Sequence, residues 1–273
     1  MAVAPDPLAC FDYELPDGRI ALFPPKERDG GRLLVRDGMD WMDRVITELP
    51  CMFSPGDLLV VNDTRVMAAR LFGARRTGGR VEILVLQGAG LVAKAMVRPG
   101  RRLKEGEVVG LLGKTGDPSD HRATLVSRDA EGQWIVHLSH PFEHVLDACG
   151  HIPIPPYLDR TSTPLDEARY QTVFADKAGA VAAPTASLHL TETVMDQIRN
   201  RGADIAKVTL HVGPGTFRNL RPEDVARGTL HTEPYSIPTE TAAAIAQCRN
   251  AGGCVTAVGT TVTRTLESAA TEN

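Results

Sequence analysis

From Arg70 to about Val136 the chain offers strand after strand. Five short apolar runs, RVEILVLQ (80–87), LVAKAMV (91–97), EVVGLL (107–112), RATLVS (122–127) and WIVHLS (134–139), follow one another across glycine or charged turns. No helical period interrupts them, and short strands at this spacing read as a small antiparallel barrel or curled sheet.

The flanks read differently. RLLV (32–35) and DLLVVND (57–63) are short apolar runs, with Pro55-Gly56 marking the turn before the second. Beyond the proline-rich crossing GHIPIPPYLDR (150–160), helices alternate with short strands. Thr163 to Asp166 resembles a capping box with proline at the first helical position, opening DEARYQTVFA. Thr191 can cap ETVMDQIRNR, closed by Gly202; KVTLHV (207–212) alternates as a strand; Thr239 can cap a helix through Arg249; CVTAV (254–258) is a strand, followed by GTT and a short final helix.

The pattern predicts an α/β fold in which a mixed, partly parallel sheet with helices is interrupted by an inserted small antiparallel β-barrel domain. Residues 1–65 and 152–273 would form a discontinuous α/β catalytic domain and residues 66–151 the insertion. A simple tandem of two domains is the competing layout.

Charge is unevenly placed. Residues 70–104 hold nine basic side chains against Glu82 alone, a net +8 in a chain whose formal charge is −4, which leaves −12 elsewhere. A basic segment on an acidic protein suits localised phosphate contact, and a solvated strand-rich surface would look similar. Arg65, Arg98, Arg101, Arg102 and Lys104 are the candidate RNA contacts. Five scattered cysteines without a C-x-x-C point to reduced thiols. No run approaches a membrane span, and acids occupy the N-terminus where a secretory signal would be basic, so the cytoplasm is expected.

Three loops could carry chemistry: AAPTASLH (182–189), HVGPGTFR (211–218) and GTTVTR (259–264). The last two follow apolar strands, which places them where α/β proteins bind ligands. Gly213, Gly215, Thr216, Gly259, Thr260 and Thr261 would let backbone N–H groups approach a carboxylate, ribose or phosphate. Neither a dinucleotide fingerprint nor a Walker A loop is present. His189, His211, His231 and Glu233 fall in the same half, and imidazole with carboxylate is a natural acid/base pair. Ordinary turns and structural histidines are the alternatives. Asp63, in Asn62-Asp63-Thr64-Arg65, can tie a domain junction or line a cleft. His137, His140 and His144 are too loosely spaced for zinc, with Pro141 read as breaking the helix that would align them.

FDYELPDGRIALFPPKERDGGRLLV (11–35), PGDLLVVNDTRVMAARLFG (55–73), VRPGRRLKEGE (97–107), IPIPPYLDR (152–160), RYQTVFADKAGAVAAPTASLHLTE (169–192), VTLHVGPGTFRNLR (208–221), LHTE (230–233) and AVGTTVTRTLES (257–268) resemble, in order, signature segments of the S-adenosylmethionine:tRNA ribosyltransferase-isomerases. The resemblance implies an α/β domain interrupted by a small β-barrel, and a role in queuosine biosynthesis. It also implies S-adenosylmethionine as ribosyl donor. The acceptor would be 7-aminomethyl-7-deazaguanine in a tRNA anticodon, isomerised to the epoxycyclopentane of epoxyqueuosine with loss of adenine and methionine. No metal is expected, nor any membrane, and a monomer is. His211, Glu233, His189 and Asp63 are the candidate catalytic residues. This chain departs from the family pattern in Gly31 for a usual serine, Ser187 for a usual glycine, Arg227 or its neighbours where a histidine is common, and a missing C-terminal segment. A shortened, non-catalytic paralogue that retains tRNA or nucleoside binding is the alternative.

Overall fold

The computed structural model describes residues 8–100, 103–217, 222–228 and 230–271. The first strands form a hairpin: β1 (Arg32–Asp37) and β2 (Asp40–Val45) pair with each other and, among the described residues, with no other strand. A 3-10 segment, Ile46–Met52, leads to β3 (Leu58–Asn62), and β4 (Thr64–Val66) follows after one residue. Six antiparallel strands come next: β5 (Arg70–Arg75), β6 (Arg80–Ala89), β7 (Val92–Arg98), β8 (Val108–Leu112), β9 (Pro118–Arg128) and β10 (Trp134–Leu138). Helix α1 (Phe142–Cys149) and the short β11 (Gly150–His151) end this part. The remainder runs α2 (Pro164–Arg169), β12 (Lys177–Ala180), α3 (Glu192–Asn200), β13 (Asp204–Leu210), α4 (Pro222–Arg227), β14 (Tyr235–Ser236), α5 (Thr239–Asn250), β15 (Val255–Ala257) and α6 (Gly259–Thr271).

The six strands close on themselves in the order β5-β6-β7-β10-β9-β8, with β8 returning to β5. Alternate residues point inward, so Leu71, Ile83, Val85, Ala95, Val109, Leu111, Leu125, Val136 and Leu138 fill the interior, and α1 plugs one end with Phe142, Val145 and Leu146. Closure leaves no unpaired edge, which is why so short a set of strands is stable. The second sheet has the order β14-β13-β3-β15, with β3 parallel to both β13 and β15. Every residue of β3 is buried, as a central parallel strand covered on both faces requires. Leu59 and Val61 pack with Val194, Met195 and Ile198 of α3, while Leu58 and Val60 pack with Cys248 of α5 and Val262 of α6. This mixed α/β sheet beside a closed antiparallel barrel is the expected class.

Several local expectations need correction. The barrel has a sixth strand, β5, which the pattern of five missed. Pro141 caps α1 rather than preventing it. The helix opened by Thr163 ends at Arg169, not near Ala175. Pro238, not Thr239, precedes α5. Gly259-Thr260-Thr261 is the first turn of α6 rather than a loop before it.

The junction after the barrel is held in part by a part-buried ion pair. Arg160 donates to both oxygens of Asp166 at 2.7 Å, and Asp166 also accepts from the Thr163 N–H at 2.7 Å and hydroxyl at 2.9 Å. Chiefly because of Arg160, the Asp166 carboxyl is lowered to about 2. A depressed folded value gives stability that is complete above the ordinary carboxylate range and is lost as pH falls toward about 2. At about 1.4 kcal/mol per unit, Asp166→Asn should cost on the order of 2 kcal/mol at pH 7 and roughly half that at pH 3. Urea midpoints of the two chains at both pH values check this; an equal gap at both would refute it.

Candidate functional site

Thr64, the first residue of β4, is fully buried, and its hydroxyl lies 2.8 Å from Nδ1 of His211, which directly follows β13. The same hydroxyl reaches the Lys177 carbonyl at 3.5 Å. By donating to Lys177 it can accept from an Nδ1–H, the arrangement that leaves Nε2 a free base. Burial pushes His211 below the ordinary imidazole value, with the Asp63 carboxylate opposing. The ring is therefore neutral near pH 7. Asp63 is itself buried and accepts the Thr209 hydroxyl at 2.6 Å. Asn62 crosses the sheet, donating to the Leu210 carbonyl and accepting from the Leu210 and Thr64 amides.

Room for the His211 ring comes from a bulge. β12 pairs with β4 at Lys177, Ala178 and Ala180 but skips Gly179, whose φ is +152°. A Cβ at Gly179 would lie 2.8 Å from the His211 ring. The other two histidines of this half also lie on glycines: a Cβ would come within 2.4 Å of His231 at Gly215 and 3.1 Å of His189 at Gly31. The departure at Gly31 thus leaves the His189 ring uncrowded, whereas Ser187 is fully buried with an unpartnered hydroxyl.

Glu233 is a hub. Its side chain is 5% exposed and accepts the Gly213 N–H at 2.7 Å and Arg264 at 2.6 Å, with His231 Nε2 at 3.2 Å. Arg264 also donates to the His231 carbonyl. The carboxylate thereby fastens the Gly213 loop to α6. His189 is held elsewhere, its Nδ1 3.3 Å from the Arg28 carbonyl, while the Arg28 guanidinium donates to the Gln171, Leu188 and Ala168 carbonyls.

A cavity of about 230 Å³ is lined by Val212, which follows His211 in the chain, whereas His211, Glu233, His189 and Asp63 are not among its lining residues. Thr216 and the first turn of α6 (Gly259, Thr260, Thr261) line it together with Thr185, Ala186 and Tyr170. A helix's first N–H groups have no acceptor within the helix and carry its positive dipole end, so they suit an anionic ligand group. Among the described residues the buried Thr261 hydroxyl, on a lining residue, has no hydrogen-bond partner, and the Tyr170 hydroxyl has at most a loose one in the Ala183 amide. Burial, partly offset by the Ala183 amide, pushes Tyr170 up to about 12, so it stays a neutral phenol.

Of the residues expected from sequence, Thr216, Gly259, Thr260 and Thr261 line the cavity; Gly213 donates to Glu233 and Gly215 lies against the His231 ring, and none of Gly213, Glu233, Gly215 and His231 lines it. Thr64, Gly179, Arg264 and Tyr170 were not singled out. All four lie in the segments that carry the family resemblance, but nothing in a linear sequence pairs Thr64 with His211. On the barrel, three of the seven described basic residues of the cluster are matched by acids: Arg70 with Glu82, Arg75 with Glu107 and Lys94 with Asp129. Arg65, Arg98 and Lys104 are exposed. Arg101 and Arg102 lie outside the described residues. The structure brings His140 and His144 together with His121, not His137. Among the described residues no group of three His, Cys, Asp or Glu is arranged to hold a metal ion, and no helix is long and apolar enough to cross a membrane.

A family model described as "Queuosine biosynthesis protein" matches residues 8–273. An S-adenosylmethionine:tRNA ribosyltransferase-isomerase of Azoarcus sp. (strain BH72) is 48% identical over 265 residues, covering 95% of this chain and 74% of that protein. One of Thiobacillus denitrificans is 45% identical over 270 residues, covering 96% and 75%. The crystal structure of an S-adenosylmethionine tRNA ribosyltransferase from Thermotoga maritima is 27% identical over 95% of this chain and 72% of that one, with a TM-score of 0.43.

Proposed function

The chain belongs to the S-adenosylmethionine:tRNA ribosyltransferase-isomerase family, and from that premise we propose how its residues carry the reaction. The enzyme transfers the ribosyl part of S-adenosylmethionine to 7-aminomethyl-7-deazaguanine in a tRNA anticodon and isomerises it, giving epoxyqueuosine and releasing adenine and methionine. The sulfonium acidifies the carbon beside it, so a base that removes a proton there starts ribose opening with loss of adenine. Such a site needs a neutral base, a proton donor and donors for the ribose oxygens.

His211 is the base in this reading. The observation that carries it is the Thr64 contact at 2.8 Å, which occupies Nδ1 and leaves Nε2 available on a ring kept neutral by burial. The rival groups are engaged: both Glu233 oxygens are bonded and Asp63 is buried against Thr209. Glu233 then shapes the loop, and Asp63 tunes and anchors. The cavity takes the nucleoside, and the first turn of α6 meets the carboxylate or ribose hydroxyls. Its 230 Å³ is below the roughly 300–1,000 Å³ of a fully enclosing pocket, so the rest of the donor extends past it. Exposed Arg65, Arg98 and Lys104 meet tRNA phosphate.

The test is the purified chain with S-adenosylmethionine and tRNA bearing the precursor base. Adenine release coupled to a mass increase of the base supports the reading. Binding of both substrates with no adenine released would favour the binding-only alternative.

A further inference from the structure

The β1–β2 hairpin pairs with none of the three other sheets among the described residues, and two strands alone are marginal in water. Residues directly paired across the hairpin share a face, so Arg32, Leu34 and Arg36 stand with Val45, Asp43 and Trp41. That face is open: Leu34 is 61% and Trp41 62% exposed, and Arg36 lies over the Trp41 ring at 5.6 Å. The fold gains little from an indole held in solvent beside Arg36. A nucleic-acid base gains a stacking platform and its phosphate gains cations.

Position selects the partner. The Ile46 amide bonds the Gly31 carbonyl at 3.0 Å and closes the base of the hairpin, and Gly31 is the residue on which the His189 ring lies. The hairpin therefore rises from the 185–189 turn whose other end lines the cavity. We propose that this face docks an unpaired loop of the tRNA substrate, with Trp41 stacking on a base and Arg32 and Arg36 meeting phosphate. This rests on the reading that the chain acts on tRNA. A second copy is the poorer occupant, because a two-fold contact sets the face's two arginines against the same two, with one acid, Asp43, on each side.

The experiment measures binding of precursor tRNA and of its anticodon stem-loop by fluorescence anisotropy, for the parent chain, Trp41→Ala, Trp41→Phe and Arg36→Gln. Each variant is first checked by circular dichroism and melting. Trp41→Ala should bind about tenfold more weakly and Trp41→Phe near the parent, while Arg36→Gln should reduce the log–log salt slope by about one. A folded Trp41→Ala with unchanged affinity overturns the proposal, as does a Trp41→Ala that only turns a dimer into a monomer in sedimentation. If the parent itself binds neither RNA, the tRNA reading fails; if the parent binds and Trp41→Ala matches it, only this inference fails.

Discussion

His211→Ala should lower adenine release at least about 100-fold while the fold and donor affinity stay near the parent's. The ring is half-buried but outside the hydrophobic clusters, so its loss empties no core, and among the described residues its side-chain hydrogen bond is to Thr64. A base that is needed only when the proton moves affects turnover more than binding. Thr64 supplies a second, sharper readout. Thr64→Val keeps the shape but removes the hydroxyl that fixes the imidazole, so turnover should fall about tenfold and Thr64→Ser should recover most of it. A base works in its deprotonated form, and burial lowers the pKa of His211. The acid limb of the pH–rate profile should therefore lie below the usual imidazole range and shift in Thr64→Val. A folded His211→Ala with near-normal turnover removes His211 from the mechanism.

Glu233→Ala should destabilise the chain by about 3 kcal/mol and abolish measurable turnover. The alanine leaves the Gly213 N–H and Arg264 without the acceptor that now sits 2.7 and 2.6 Å away. Hydrogen bonds to a charged group contribute about 1.5–3 kcal/mol each, and part of the Arg264 loss is recovered by water because its side chain is 32% exposed. Glu233→Gln keeps one amide oxygen and should lose less stability. If Glu233 instead transfers a proton and does little structurally, Glu233→Gln will melt like the parent yet be as inactive as the alanine variant. Melting curves beside adenine-release rates separate the two cases.

The sequence made some layers plain and hid others for identifiable reasons. Barrel strands β6 to β10 announced themselves because alternation and turn residues are local signals. β5 was hidden because Gly73 and flanking arginines dilute its apolar pattern. Helix α1 was hidden because a proline at a helix start looks like one that breaks a helix. Gly-Thr-Thr read as loop because all three are poor helix formers, yet Gly259, at φ +81°, opens α6. The candidate site showed the same division. Its glycine-rich segments were visible, but the Thr64–His211 contact spans 147 positions and the Glu233–Arg264 contact spans 31. Contacts made by tertiary folding leave no period to read.

Thr64 stands two residues before Val66, from which the chain runs into the barrel, and Gln171 grips Val66 at both ends of its peptide, accepting from its N–H at 3.0 Å and donating to its carbonyl at 2.7 Å. The barrel is thus moored to the α/β part at its point of entry, and the mooring strand is the one that holds the imidazole, with only Arg65 between Val66 and Thr64.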